Sequence, residues 1–184
     1  MQTLSVLKRR VMAAVSGTDK AVAMAVTAEE LLQAINEVID DVRNEMPYDI
    51  IDESVTLATD DYEYSLAGLG FAYIHVITME DADGNYPSTN IIWNWMWRII
   101  PGPILVFDDR MWSPSDSRTI RIEGQALQDN LSGDTDVCYI SDAFVVNRAA
   151  AGLLGEKGKI RLQMAEDSRQ RSSFLPHPAS TLVR

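Results

Sequence analysis

The spacing of apolar residues changes from a helical to a strand period at about Asp52, and this change limits the fold class most strongly. Before it, apolar residues recur every three or four positions, as on one face of a helix. Beyond it they alternate as in half-buried strands, up to about Tyr139, and helical spacing returns after Ser141. The pattern predicts an α+β fold. Two N-terminal helices and a C-terminal helix would form a small bundle, packed with an antiparallel β-sheet or sandwich and followed by an extended C-terminal arm.

Three helices are predicted, over residues 3–16, 27–46 and 141–154. The second is the best defined, because Thr27 and Glu30 form a capping-box pattern ahead of a long apolar stripe. The stripe consists of Leu31, Leu32, Ile35, Val38, Ile39, Val42 and Met46. Pro47 ends this pattern because proline cannot continue a helix. The third helix is predicted to start at a cap on Ser141 and to end at Gly155.

The β region predicted over residues 52–139 is a series of short strands separated by turn residues. The strands are Ser54–Ala58, Tyr62–Leu66, Phe71–Met79, Ile91–Ile99, Ile104–Phe107 and Thr119–Gly124. Turn residues between them include Asp83-Gly84-Asn85 and Pro101-Gly102-Pro103, and their regular spacing favours hairpins. One domain is therefore predicted over residues 1–156, with a polar helix and the extended arm over 157–184.

Composition excludes several classes of protein. With 184 residues, 46% of them hydrophobic, the chain can bury one sizeable core, but no apolar run is long enough to span a membrane. The basic residues Lys8, Arg9 and Arg10 precede no apolar signal region, so we expect a soluble, unexported protein without a membrane partner. Its one cysteine, Cys138, excludes a disulfide framework and is predicted to be a small buried hydrophobe.

The net charge of −11 is unevenly distributed along the chain. Residues 1–10 carry +3, and residues 156–184 carry six basic against three acidic groups, so residues 11–155 carry −17. An acidic body of this kind repels nucleic acid, although acidity also serves solubility alone. Because both ends are basic relative to the middle, docking of an end onto another copy would be electrostatically favourable.

Candidate catalytic groups are few, and each has a simpler structural interpretation. The histidines are His75, in a predicted strand, and His177, between two prolines, and no nucleophile motif or phosphate-binding loop is present. Paired aspartates such as Asp40-Asp41 point apart on a helix or strand. Asp81 to Asn85 resembles the start of a calcium loop, but its twelfth position is Ile92 rather than an acid. We therefore predict a non-enzymatic protein without a cofactor or metal.

Trp93, Trp95 and Trp97 alternate with other residues, so in a strand all three indoles would lie on one face, with Trp112 close by in sequence. Such a face can be a core between sheet and helix, or an interface with another copy or a partner protein. Stacking on single-stranded nucleic acid is a third possibility, which the surrounding negative charge disfavours.

The C-terminal segment from Lys157 to Arg184 is mostly polar and basic. It has too few apolar groups to offset roughly 1–2 kcal/mol of backbone entropy per residue, so we expect it to become ordered only against a partner. Strand pairing, or insertion of side chains into pockets, would provide that contact. The predicted interface residues are Arg169, Arg171, Phe174, Leu175, Pro176, Leu182, Val183 and Arg184.

The order of parts resembles the head-to-tail adaptor (connector) proteins of tailed bacteriophages. The resemblance spans residues 3–155 and depends on the layout more than on single motifs. It comprises a short helix, then the segments Leu31–Glu37 and Thr56–Leu66, then Asp134 to Asp142, and finally the Ala-rich helix at Ala149–Ala151. The chain has Leu66-Ala67 where that family often has Leu-Pro, and residues beyond Gly158 match nothing in it.

This resemblance implies a non-enzymatic virion protein. It would form a homo-oligomeric ring, usually a dodecamer, between the portal protein and the tail or nozzle proteins at the virion neck, after assembly in the host cytoplasm. DNA would pass through the ring without specific binding, and the C-terminal arm would reach the portal or a neighbouring subunit. The alternative is a small acidic protein-binding or regulatory module that uses a Trp-rich face. An enzyme with paired carboxylates is a third possibility, which the sequence favours least.

Overall fold

The chain folds into helices at both ends and antiparallel strands between them, which confirms the predicted α+β class. The computed structural model describes residues 1–110, 114, 117–172 and 181–182, except for the side chains of 171, 172, 181 and 182. The helices are α1 (Leu4–Ser16), α2 (Lys20–Ala25), α3 (Ala28–Val42), α4 (Asp142–Leu154) and α5 (Lys159–Ser172). The strands are β1 (Gln2–Thr3), β2 (Tyr48–Thr56), β3 (Glu63–Ser65), β4 (Phe71–Met79), β5 (Ile91–Ile92), β6 (Trp97–Ile100), β7 (Ile104–Phe107), β8 (Thr119–Ala126), β9 (Val137–Cys138) and β10 (Thr181–Leu182).

Contacts along the chain define two compact units. The helical unit comprises Met1–Tyr48 and Gln128–Leu175, and the β unit comprises Asp49–Leu127 and Pro176–Arg184. Each has its own cluster of buried apolar side chains. Fully buried members include Leu7, Ile35 and Phe144 in the helical unit, and Leu66, Ile77 and Ile122 in the β unit. None of the helices in the described ranges is both long and apolar enough to cross a bilayer.

Helix α3 forms where its capping box and apolar stripe predict it. Thr27 Oγ1 accepts a hydrogen bond from the Glu30 backbone N–H at 3.2 Å, and the Glu30 carboxylate accepts one from the Thr27 N–H at 2.8 Å. The bond from the Thr27 N–H, followed by one that the Thr27 hydroxyl donates to the same carboxylate at 3.0 Å, lowers the pKa of Glu30. The helix ends at Val42, before the predicted end at residue 46, because the N–H groups of Glu45 and Met46 both bond to the Val42 carbonyl in a turn.

The sequence pattern does not predict helix α2. Its cap is Asp19, whose carboxylate accepts hydrogen bonds from the backbone N–H groups of Ala21 and Val22. Lys157, followed by these backbone bonds, lowers the pKa of Asp19. Six residues give too few turns for a helical period to emerge, so the aspartate cap is the only signal of this helix that the sequence carries.

Two sheets build the β unit. In one, the strand order is β10-β4-β8-β2, and β5 also pairs with β4; in the other, it is β3-β7-β6. Strands β4 and β7 have the predicted bounds, whereas β2 begins at Tyr48, earlier than predicted, and β8 extends to Ala126. The predicted strand Ile91–Ile99 is wrong as a single strand, because the chain turns between β5 and β6.

Candidate interaction surfaces

A turn between β5 and β6 presents two tryptophans to solvent. The backbone N–H of Met96 bonds to the carbonyl of Trp93 at 2.8 Å, which closes the turn. The side chains of Trp93 and Trp95 are 56% and 55% exposed. Exposed indoles of this size are typical of contact surfaces, because they bring a large apolar area at low cost in side-chain entropy. We call Trp93 to Met96 the tryptophan turn.

Trp97 has a different role from its two neighbours. It is 6% exposed in the core of the β unit, and its indole N–H donates to the Ile92 carbonyl at 3.2 Å. The prediction that Trp93, Trp95 and Trp97 share one strand face is therefore wrong. Alternation in the sequence suggested a continuous strand, but the turn rotates the first two indoles away from the core. Trp112 lies outside the described residues.

The outer edge of β4 is a second candidate surface. One edge of β4 pairs with β8 over its whole length, and the other carries β10 at Tyr73–Ile74 and β5 at Ile77–Thr78. Both short strands are antiparallel to β4. Backbone pairing of this kind needs no particular side chains, so an edge that accepts one short strand can accept the same strand from another chain.

Two irregularities in β4 lie beside this edge. Relative to β8, β4 has one extra residue between Phe71 and Tyr73 and another between Ile74 and Val76. Such bulges increase local twist and interrupt a ladder. The second includes His75, between the stretches that pair with β10 and β5. The sequence pattern does not predict this acceptor edge, because alternation alone does not specify which side of a strand pairs with which neighbour.

The predicted arm residues are only partly described. Arg169, on α5, forms ion pairs with Glu45 and with Glu166, the latter at 3.8 Å, so within the helical unit it already has carboxylate partners. Arg171 belongs to α5 and Leu182 to β10, but only their backbones are described. Five predicted interface residues lie outside the described residues: Phe174, Leu175, Pro176, Val183 and Arg184.

The loop that resembles the start of a calcium site is held by its own backbone. Asp81 Oδ1 accepts hydrogen bonds from the N–H groups of Asp83 and Asn85, both at 2.9 Å. The bond from Asn85 is the main cause of the lowered pKa of Asp81. Across the described ranges, no group of three or more His, Cys, Asp or Glu side chains could hold a metal.

Cys138 is fully buried in the helical unit, as predicted. Burial raises the pKa of its thiol, which favours the unreactive protonated form.

Comparison with known proteins identifies no relative of this chain, because no protein-family model and no curated protein matches it.

Proposed function

We propose that this chain is a head-to-tail adaptor of a tailed bacteriophage, a non-enzymatic protein that forms a ring between the portal and the tail or nozzle proteins. The single observation that carries the proposal is the pairing of Thr181–Leu182 with Tyr73–Ile74 on the edge of β4. This two-residue ladder pairs the backbone near the end of the chain with the edge of β4. An arm attached in this way can exchange between its own sheet, a neighbouring subunit and the portal.

The charge of the β unit is compatible with a channel for DNA. Residues 49–127 contain thirteen acidic and four basic residues. Fixed negative charge disfavours adhesion of phosphates, so a ring with an acidic lining would let the duplex slide without specific binding. The order of elements that supports the resemblance also occurs in the fold, from α1 and the capped α3 to the Ala-rich α4.

Removal of the arm tests the proposal. We expect a chain without residues 173–184 to lose attachment to purified portals, measured by negative-stain imaging of ring-on-ring particles. A finer variant, Thr181→Pro with Leu182→Pro, keeps the length and charge of the arm but cannot donate backbone hydrogen bonds. Its matched control is Thr181→Ala with Leu182→Ala, which keeps those donors. Normal attachment by the deletion variant would show that the arm is not needed for binding to the portal.

A second candidate function is favoured by the exposure of Trp93 and Trp95. A small acidic regulatory or protein-binding module would use the tryptophan turn to bind one partner without symmetry. Native mass spectrometry of the protein mixed with portal separates the two functions. An adaptor gives a ring bound to a ring, whereas a regulatory module gives a complex of low copy number.

A further inference from the structure

The outer edge of β4 is divided into two short pairing sites. Strand β5 occupies the edge at Ile77–Thr78, and β10 occupies it at Tyr73–Ile74. The second bulge of β4, between Ile74 and Val76, separates the two sites. A strand paired at Tyr73–Ile74 cannot extend its ladder past the bulge, because β5 is already there. The segment from Phe71 to Ile74 is therefore a short site for one added strand, which we call the β4 acceptor.

Strand β10 shows which sequence the β4 acceptor fits. Thr181 lies opposite Ile74, and Leu182 lies opposite Tyr73. Every copy of the chain carries this strand and this acceptor, so β10 of a second copy would make the same pairing in the same register. Exchange of an identical element between copies is a low-cost route to association, because no new contact has to be built. The strand found on this edge thus favours a second copy as the partner over an unrelated protein.

The connection before β10 is long enough to reach another copy. Nine peptide links separate Ser172, the last residue of α5, from Thr181, so the connection can span up to about 30 Å when extended. Residues 173–184 contain one basic residue, Arg184, and no acidic residue, whereas residues 49–127 contain thirteen acidic and four basic residues. The net charges of the arm and of the β unit are therefore opposite in sign, which favours their approach.

We propose that β10 of one copy occupies the β4 acceptor of the next copy in the ring, in place of that copy's own β10. The inference rests on the proposed adaptor function and names the partner of the arm at this site. Each chain then donates one strand and accepts one. Because the donor and the acceptor are different surfaces, the contact is head-to-tail, the kind that generates a ring when the rotation closes. The same ladder forms within a chain or between chains, so exchange increases with chain concentration.

Cysteine variants in separate chains test the exchange. Tyr73→Cys in one chain and Leu182→Cys in another place one thiol on each side of the ladder. Residues directly opposite each other in an antiparallel pair have Cα atoms about 4.5–5.5 Å apart, which a disulfide can bridge. Under mild oxidation an equimolar mixture should give a linked heterodimer in at least about tenfold excess over linked homodimers, because pairing raises the effective concentration of the two thiols. The natural Cys138 is fully buried and stays out of this reaction.

The control for this mixture is Ile51→Cys in place of Tyr73→Cys. Ile51 is 56% exposed and lies on β2, at the other end of the same sheet, so its mixture with Leu182→Cys should show no excess of heterodimer. A chain that carries both Tyr73→Cys and Leu182→Cys, oxidised after assembly, locates the strand directly. Multimers linked by disulfides support the exchange, whereas internally linked monomers alone overturn it.

The proline variant of the arm, Thr181→Pro with Leu182→Pro, gives a measurement without added cysteine. It should sediment as a monomer at concentrations at which the natural chain and the control, Thr181→Ala with Leu182→Ala, form oligomers. Equal oligomerisation of the proline variant, or a natural chain that stays monomeric, would overturn the exchange. If rings bind portals but no linked heterodimer forms, the exchange is wrong and the adaptor function stands. If the heterodimer forms but no ring binds a portal, the exchange stands and the adaptor function fails.

Discussion

Gly124 of β8 lies directly against the backbone carbonyl of Tyr73 in β4. A β-carbon on Gly124 would be 2.1 Å from the Tyr73 oxygen and 2.8 Å from Cδ1 of Phe71. Gly124 pairs with Ile74 beside the second bulge, so the close approach is part of the irregular ladder. We expect Gly124→Ala to destabilise the protein by about 1–3 kcal/mol, because backbone atoms cannot move aside as a flexible side chain does. Urea unfolding measures this change.

The matched control is Gly152→Ala, where a β-carbon meets nothing within 4 Å. This substitution should stabilise the isolated chain by about 0.5–1 kcal/mol, through higher helix propensity. An unchanged unfolding midpoint for Gly124→Ala would contradict the close packing of β8 against β4.

The three tryptophans of the β5–β6 segment should respond differently to alanine substitution. Trp97→Ala should cost about 3–5 kcal/mol of unfolding free energy, because it empties a buried site and removes the bond to the Ile92 carbonyl. Trp93→Ala and Trp95→Ala should each change stability by less than about 0.5 kcal/mol, because both indoles are largely in water. Equal losses of unfolding free energy at all three positions would mean that the three side chains share one core face, as the sequence pattern predicts.

Helix α3 and the segment Ile91–Ile99 show which parts of the fold the sequence predicts and which it does not. Helix α3 was predicted because local capping and a long apolar period indicate the same structure, and tertiary packing agrees with both. The segment Ile91–Ile99 alternates as a strand does, yet it turns at Trp93 to Met96 because β5 and β6 belong to different sheets. Alternation over nine residues cannot show where a chain leaves one sheet for another.

The candidate surfaces were less predictable than the fold. The sequence predicts Trp93 and Trp95 as interface candidates, but their exposure depends on a turn that backbone bonds from Met96 to Trp93 and from Asp108 to Met96 stabilise. The acceptor edge at Tyr73–Ile74 pairs with residues more than a hundred positions away in sequence. A single chain carries no local signal for such long-range arrangements, so only the structure brings them together.

Asn36 connects α3 to the segment before β9. Its side-chain amide donates to the Leu131 carbonyl at 2.9 Å, and its carbonyl oxygen accepts from the Leu131 N–H at the same distance. Asn36→Ala should cost about 1–3 kcal/mol in chemical unfolding, because two backbone groups of a buried residue lose their partners. Gln33→Ala is the control, since Gln33 is exposed and its side chain bonds to Glu37 of the same helix. Similar effects of the two substitutions would exclude an anchoring role for Asn36.

The carboxylate of Glu80 gives the β unit a specific sensitivity to acid. It accepts hydrogen bonds from the hydroxyl of Thr119 and, at 2.9 Å, from the Thr119 backbone N–H, and these bonds lower the pKa of Glu80. A lowered pKa in the folded state contributes stability above the ordinary glutamate pKa of about 4.3, and the contribution is lost as pH falls through the folded value. Thr119→Val removes the hydroxyl and keeps the N–H, so the pKa of Glu80 should rise toward its ordinary value.

The melting temperature of Thr119→Val should therefore be lower than that of the natural chain at neutral pH, and the difference should narrow between about pH 5 and pH 3. NMR titration of Glu80 measures the pKa directly, and calorimetry measures the melting temperatures. Thr89→Val is the control, because Thr89 is exposed and its hydroxyl bonds to the side chain of the adjacent Asn90 rather than to Glu80. A gap in melting temperature that stays constant down to pH 3 would mean that Thr119 contributes by packing or through Tyr86, its other hydrogen-bond partner, and not through the charge on Glu80.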